Sequence, residues 1–221
     1  MDDKKLSDYV LINKHSYVAF NKPTGMPSQS DQSNDKSIHQ LAEIYCRQKL
    51  HLLNRLDRPA SGIILLSKKD KFTDYYQKQS DKNNVKKTYL AICKKADIPN
   101  EGELVNYLHH HKKARKAIVV SNESEGKLSK LNYKILKALD RYLILEINLS
   151  SGRFHQIRAQ LAHIGCPIKG DVKYGDRRSN RDRSIYLHAY QYSFIDPISK
   201  KEVSITSPLN KEDSLWKLIN T

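Results

Sequence analysis

The sequence predicts a mixed α/β chain, on three observations. Leu143, Leu145, Ile147 and Leu149 alternate at the period of a strand, and Ile157, Leu161 and Ile164 then recur at i, i+4 and i+7, so a strand enters a helix. Ile63, Ile64, Leu65 and Leu66 form the uninterrupted apolar run of a strand covered on both faces. Ile38, Leu41, Ile44 and Tyr45 recur at helical spacing within residues 37–50.

In chain order, Tyr17 to Phe20 form the first strand, and NKPTGMPSQSDQSND, with two prolines, a glycine and small polar residues, reads as a long loop. The helix over 37–50 follows. Pro59 and Gly62 mark RPASG as a turn, which places Asp57 on a loop at the mouth of the 63–66 strand. KTYLAIC alternates Tyr89, Ala91 and Cys93 against Thr88, Leu90 and Ile92, again a strand. Residues 94–130 turn polar, and HHHKKARK within them reads as a phosphate-contacting loop. After SSGR the second helix runs for about three turns. Gly165 is suited to end it in a left-handed conformation, and Pro167 cannot continue it. With Ile157, Leu161 and Ile164 on the buried stripe, Arg158 falls on the flank, at the border of a cleft.

The length of 221 residues fits one large domain or two small lobes, and a single catalytic unit is expected. Lys and Arg number 39 against 24 Asp and Glu, a net +15 spread along the chain, which points to a polyanionic partner. No apolar stretch approaches the roughly 20 residues that span a bilayer. The start, MDDKKLSDYV, is acidic and polar rather than a signal peptide, so no membrane association and a cytoplasmic location are expected. Cys46, Cys93 and Cys166 are odd in number, far apart and without C-x-x-C spacing, as for reduced thiols. Thirteen tyrosines supply amphipathic aromatic surface able to stack on bases, although most serve packing.

Asp57 lies between Arg55 and Arg58. It reads either as a structural ion-pair residue or as an ionised, oriented carboxylate able to act as nucleophile or base. Its place at a strand mouth favours the second reading. Arg158 alone is equally a surface arginine whose stem covers apolar side chains. The triplet His109, His110 and His111 has no acidic or Cys partner at ligand spacing, so no metal is expected. KPTG lacks the spacing of a P-loop. His155 and His163 read as residues that bond backbone or orient RNA.

NRLDRPASGIILLSKK resembles the H-R-L-D-R-x-T-S-G signature of RNA pseudouridine synthases of the RluA type. NKPTGMP is similar to that family's K-P-x-G motif, KTYLAIC to its K-x-Y-x-A strand, and YLHAYQYSF to its L-H-A closing strand. SSGRFHQIRAQLAHIGCPIKGDVKYG is similar to its T-G-R-x-H-Q-I-R-x-H-L-A-x-x-G-x-P-I-x-G-D-x-x-Y-G block. Together the motifs run from about residue 17 to about 209. Asn54, Ala60, Ser151 and Gln160 depart from the pattern, at positions where the family usually has His, Thr, Thr and His.

The resemblance implies an α+β pseudouridine synthase fold: a mixed, largely antiparallel bent sheet with flanking helices and a central cleft. It implies one catalytic domain over 1–221, with 1–16 as an N-terminal extension too short for an S4-like RNA-binding domain. The implied activity is an isomerase (intramolecular transferase) converting uridines of structured RNA, tRNA or rRNA, to pseudouridine, without cofactor or metal, as a monomer. Asp57 matches the catalytic aspartate, Tyr89 the tyrosine that stacks on the base, and Arg158 the arginine that pairs with the aspartate. Arg55 matches the residue associated with displacing the flipped base. Arg58, Lys22, Lys87, Arg153, His155 and Gln156 are the further candidates to grip RNA. Arg-Pro after Asp57 is similar to the tRNA-modifying members. The alternative is a non-catalytic RNA-binding or ribosome-assembly factor on the same fold. A glycosidase ranks below both, since no second acid accompanies Asp57.

Overall fold

The computed structural model describes residues 5–219; the first four residues of the expected N-terminal extension, at the head of MDDKKLSDYV, and the last two of the chain lie outside the described residues. The chain divides into two compact units, Met1–Lys87 with His188–Thr221, and Thr88–Leu187. In chain order the elements are β1 (Val10–Asn13), β2 (Tyr17–Lys22), α1 (Ile38–Cys46), β3 (His51–Leu52), β4 (Ser61–Ser67), α2 (Asp70–Asp81) and β5 (Lys86–Lys94). They continue with β6 (Glu101–His111), β7 (Lys116–Val120), β8 (Lys127–Ala138), β9 (Tyr142–Leu149), α3 (Gln156–His163), β10 (Leu187–Ile195) and β11 (Glu202–Thr206).

In the first unit β2 pairs antiparallel with β1 and with β4, β3 pairs antiparallel with β4, and β11 pairs antiparallel with β10. The exception is β10, which runs parallel to β4, matching His188 to Ser61 and Ala189 to Gly62. That approach requires glycine. Gly62 has φ +111, and a Cβ there would stand 2.3 Å from the Ala189 carbonyl oxygen. Gly62 through Leu66 are buried, as the unbroken apolar run predicts. An aromatic cluster joins three elements: Tyr17 of β2 stacks on Phe72 of α2 at 4.8 Å, and Phe194 of β10 meets Tyr17 and Tyr76 edge-on at 5.3 and 5.7 Å.

Three features of the chain differ from the sequence-based expectation. α1 stops at Cys46 rather than near residue 50, because Arg47 turns left-handed at φ 52. Its start is a capping box, in which Ser37 Oγ accepts from Gln40 N and Gln40 Oε1 accepts from Ser37 N at 2.9 Å. A strand, β1, lies inside the segment read as an extension. α2 carries no helical period in the sequence, because its buried side is only Phe72 and Tyr76, one i, i+4 pair.

In the second unit the strands run β5-β9-β8-β6-β7, each pair antiparallel. The polar stretch 94–130 is therefore largely strand. β6 and β7 form a hairpin in which His109, His110 and His111 face Ile118, Ala117 and Lys116 across the ladder. They are not a loop. α3 has eight residues, about two turns instead of three, and Gly165 follows in the expected left-handed conformation at φ +79. It is buried on nearly every side, from Gln156 through Leu161.

Candidate active site

The turn that carries Asp57 is fixed at its backbone. Ala60 N donates to the Asp57 carbonyl at 3.0 Å, closing the turn that Pro59 opens into β4. Upstream, Asn54 takes the place of a ladder partner: its amide donates to the Ile63 carbonyl at 2.9 Å and to the Tyr192 hydroxyl at 3.1 Å, and its oxygen accepts from Leu65 N at 2.7 Å. The residues on either side of Asp57 are bound to the loop after β2. Ser28 Oγ donates to the Leu56 carbonyl at 2.7 Å and accepts from Leu56 N at 2.9 Å. The Arg58 carbonyl accepts from Gly25 N at 2.9 Å and from Lys22 Nζ at 3.3 Å. Asp57 is half-buried and Arg55 is exposed.

Lys22, expected against RNA, is instead fully buried, its ammonium also donating to the Pro23 and Met26 carbonyls at 2.8 and 2.9 Å. Burial pulls its pKa down to about 7, opposed by the Asp57 carboxylate and reinforced by Arg58. Arg58 turns its guanidinium to Ser33 Oγ at 2.7 Å and to an ion pair with Asp35, with Asp31 at 4.0 Å. On the other side of β4, His188 accepts from Ser61 Oγ at 2.8 Å and donates to the Ser207 carbonyl at 3.2 Å. Burial holds its pKa down at about 4. Lys87 donates to Ser80 Oγ at 3.2 Å, and burial lowers its pKa against the opposing charge of Asp81.

In the second unit Tyr89 is buried on β5, opposite Ile147 of β9. Arg158 does not lie at an open flank as its helical position suggests: it is 5% exposed and forks onto Asp171, Nε to Oδ2 at 2.6 Å and Nη2 to Oδ1 at 2.8 Å. A bidentate carboxylate offsets the desolvation that would otherwise expel the guanidinium. The same guanidinium lies 5.0 Å from the Tyr174 ring, whose hydroxyl accepts from Ala117 N at 2.7 Å and meets His155 Nδ1 at 3.0 Å. Asp171 and Tyr174 were not singled out from sequence, although both are the fixed letters of the G-D-x-x-Y-G segment.

Gln156, also expected against RNA, is turned inward. It accepts from Ser151 Oγ and Arg153 N at 2.9 and 3.0 Å and donates to the Lys130 carbonyl and Gln160 at 3.1 and 3.0 Å. Gln160 in turn donates to Asn106 at 2.8 Å and to the Leu104 carbonyl at 3.1 Å. Arg153 is exposed at a cavity of about 530 Å³ that Phe154 and His110 also line. Phe154 stacks on His155 at 3.8 Å. Among the described residues no cluster of His, Cys, Asp and Glu is disposed to hold a metal ion.

The chain matches the family model described as RNA pseudouridylate synthase over residues 16–163. It is 30% identical over 210 residues to the ribosomal large subunit pseudouridine synthase C of Rickettsia felis, covering 93% of this chain and 69% of the relative. To the tRNA pseudouridine synthase C of Haemophilus influenzae it is 28% identical, covering 92% of this chain and 93% of the relative. Among solved structures, human RNA pseudouridylate synthase domain containing 4 superposes with a TM-score of 0.76 at 21% identity, over 94% of this chain and 90% of that one.

Proposed function

Because the chain belongs to the RNA pseudouridylate synthase family, whose members are isomerases, we propose that it converts uridines of structured RNA, tRNA or ribosomal RNA, to pseudouridine with Asp57 as the catalytic carboxylate. The N1–C1′ bond breaks, the detached uracil turns, and C5 bonds to C1′; C5 gives up its proton and N1 ends protonated, so the product is an isomer. Asp57 serves either as the nucleophile on C1′ or as the base for the 2′ proton, and each route needs an ionised carboxylate presented to the sugar. A paired or stacked uridine must first be flipped out, at a cost of a few kcal/mol that is least in a loop. By motif position Tyr89 takes the stacking role and Arg158 the cationic one, while exposed Arg55 fills the space the base leaves. Arg153, His155 and Lys87 are proposed to contact the RNA backbone.

The observation that supports this reading is the half-buried Asp57 on a turn whose backbone is held on both sides. Substrate class is supported by the names of the relatives, one given for the ribosomal large subunit and one for tRNA. Asp57→Asn is expected to keep RNA binding and form no pseudouridine in a pseudouridine-specific primer-extension assay; turnover by this variant would overturn the assignment. Pseudouridine maps of total RNA from cells with and without the protein identify the target uridine.

A further inference from the structure

We propose that the loop between β2 and α1 is the positioning cradle of the Asp57 turn, with Ser28 and Asp35 as positioning residues and Arg58 as an internal strut rather than a phosphate contact. The inference rests on Asp57 being the catalytic carboxylate. Four observations meet at the residues before and after it.

One hydroxyl, Ser28 Oγ, satisfies both backbone groups of Leu56, donating at 2.7 Å and accepting at 2.9 Å across 28 residues of chain. Ser28 and Leu56 are 5% and 8% exposed, so water does not readily replace that bond. On the far side, the Arg58 carbonyl is held by Gly25 N and Lys22 Nζ, and its guanidinium by Ser33 and Asp35. Backbone groups of Leu56 and Arg58, the residues before and after Asp57, are thus anchored to this loop and to Lys22 at the end of β2, which leaves the carboxylate few directions in which to drift. Reacting groups lose rate steeply with small displacement, so the cradle acts on the chemical step and not on RNA affinity. Arg58 already carries a carboxylate partner. A phosphate would have to displace Asp35 to reach it.

The test uses the full chain, total RNA from cells lacking the protein as substrate, and a tRNA transcript as the binding probe. Ser28→Ala is expected to lower kcat by about 10- to 100-fold at unchanged affinity for the transcript, and Ser28→Thr, which keeps the hydroxyl, to recover most of it. Arg58→Ala and Asp35→Asn, at partly exposed sites that tolerate change, are expected to lower kcat while leaving the slope of log affinity against log salt unaltered. The proposal is overturned if Ser28→Ala turns over within about twofold of the unaltered chain, or if Arg58→Ala flattens the salt slope by about 0.7 to 0.9, the loss of one phosphate contact. Should Ser28→Ala fail to fold, the Arg58 and Asp35 variants decide by the same two readouts. Asp57→Asn is run beside them. Activity in that variant removes the catalytic reading itself, whereas an inactive Asp57→Asn with a fully active Ser28→Ala removes only the cradle.

Discussion

Asn54 and Gln160 stand where the family signature has histidines, and at both positions the amide has become a backbone staple. An amide offers a donor and an acceptor at once without a charge to titrate, which suits Asn54 between the Ile63 carbonyl and Leu65 N. Gln160 lies buried among Gln156, Asn106 and the Leu104 carbonyl. Neither departure disturbs a residue with a proposed chemical role. Arg158 shows the opposite case, a charge kept inside with the Asp171 carboxylate forked onto it. Asp171→Ala removes the bidentate carboxylate from that buried guanidinium, and it should destabilise the protein by up to about 3 to 5 kcal/mol, read as a lowered midpoint in urea unfolding. A surface ion pair removed in the same way would cost less than about 1 kcal/mol, so a small shift would contradict the buried-pair description.

Between elements, the contact of β4 with β10 depends on one absent side chain and one buried ring. Gly62 lets the Ala189 backbone approach, and the neutral His188 ring bridges Ser61 to the Ser207 carbonyl. Its pKa is near 4 in the fold and 6.5 when unfolded, so between those values the unfolded chain binds the extra proton. The stability this ring supplies is complete above pH 6.5 and is lost as pH falls towards 4. The loss amounts to about 3 kcal/mol at most. Thermal unfolding of His188→Gln across that range should be flatter with pH than that of the unaltered chain. An equally steep acid limb in the variant would assign the proton uptake to other groups.

For the molecule as a whole, the dominant quantity is a net charge of +15. Each phosphate it neutralises releases counterions, so RNA affinity should fall with salt at a log–log slope of about −3 or steeper for several contacts. Filter binding of a tRNA transcript at rising salt measures it, and a flat response would argue against a phosphate-tracking surface. Among the described residues no helix is long and apolar enough to cross a membrane.

Periodicity and motif order carried a large part of this protein. The strands at 63–66, 87–93 and 143–149, the glycine stop at Gly165 and the family itself were legible, because buried strands are written in local apolar pattern and turns in glycine and proline. The hairpin of β6 and β7 has the composition of a loop, since a strand open to water on one side can carry polar residues in any order. The orientations of Lys22, Gln156 and Arg158 were likewise hidden. A lysine, a glutamine and an arginine read from sequence as surface groups. Gln156 and Arg158 turned inward because the Lys130 carbonyl and Asp171, 26 and 13 residues away, came within hydrogen-bonding reach when the chain folded, and Lys22 because the loop after β2 curls its Pro23 and Met26 carbonyls onto the ammonium, with the distant Arg58 carbonyl added. Local pattern records which side chains avoid water, whereas the partner that lets a polar one do so is chosen by long-range contact.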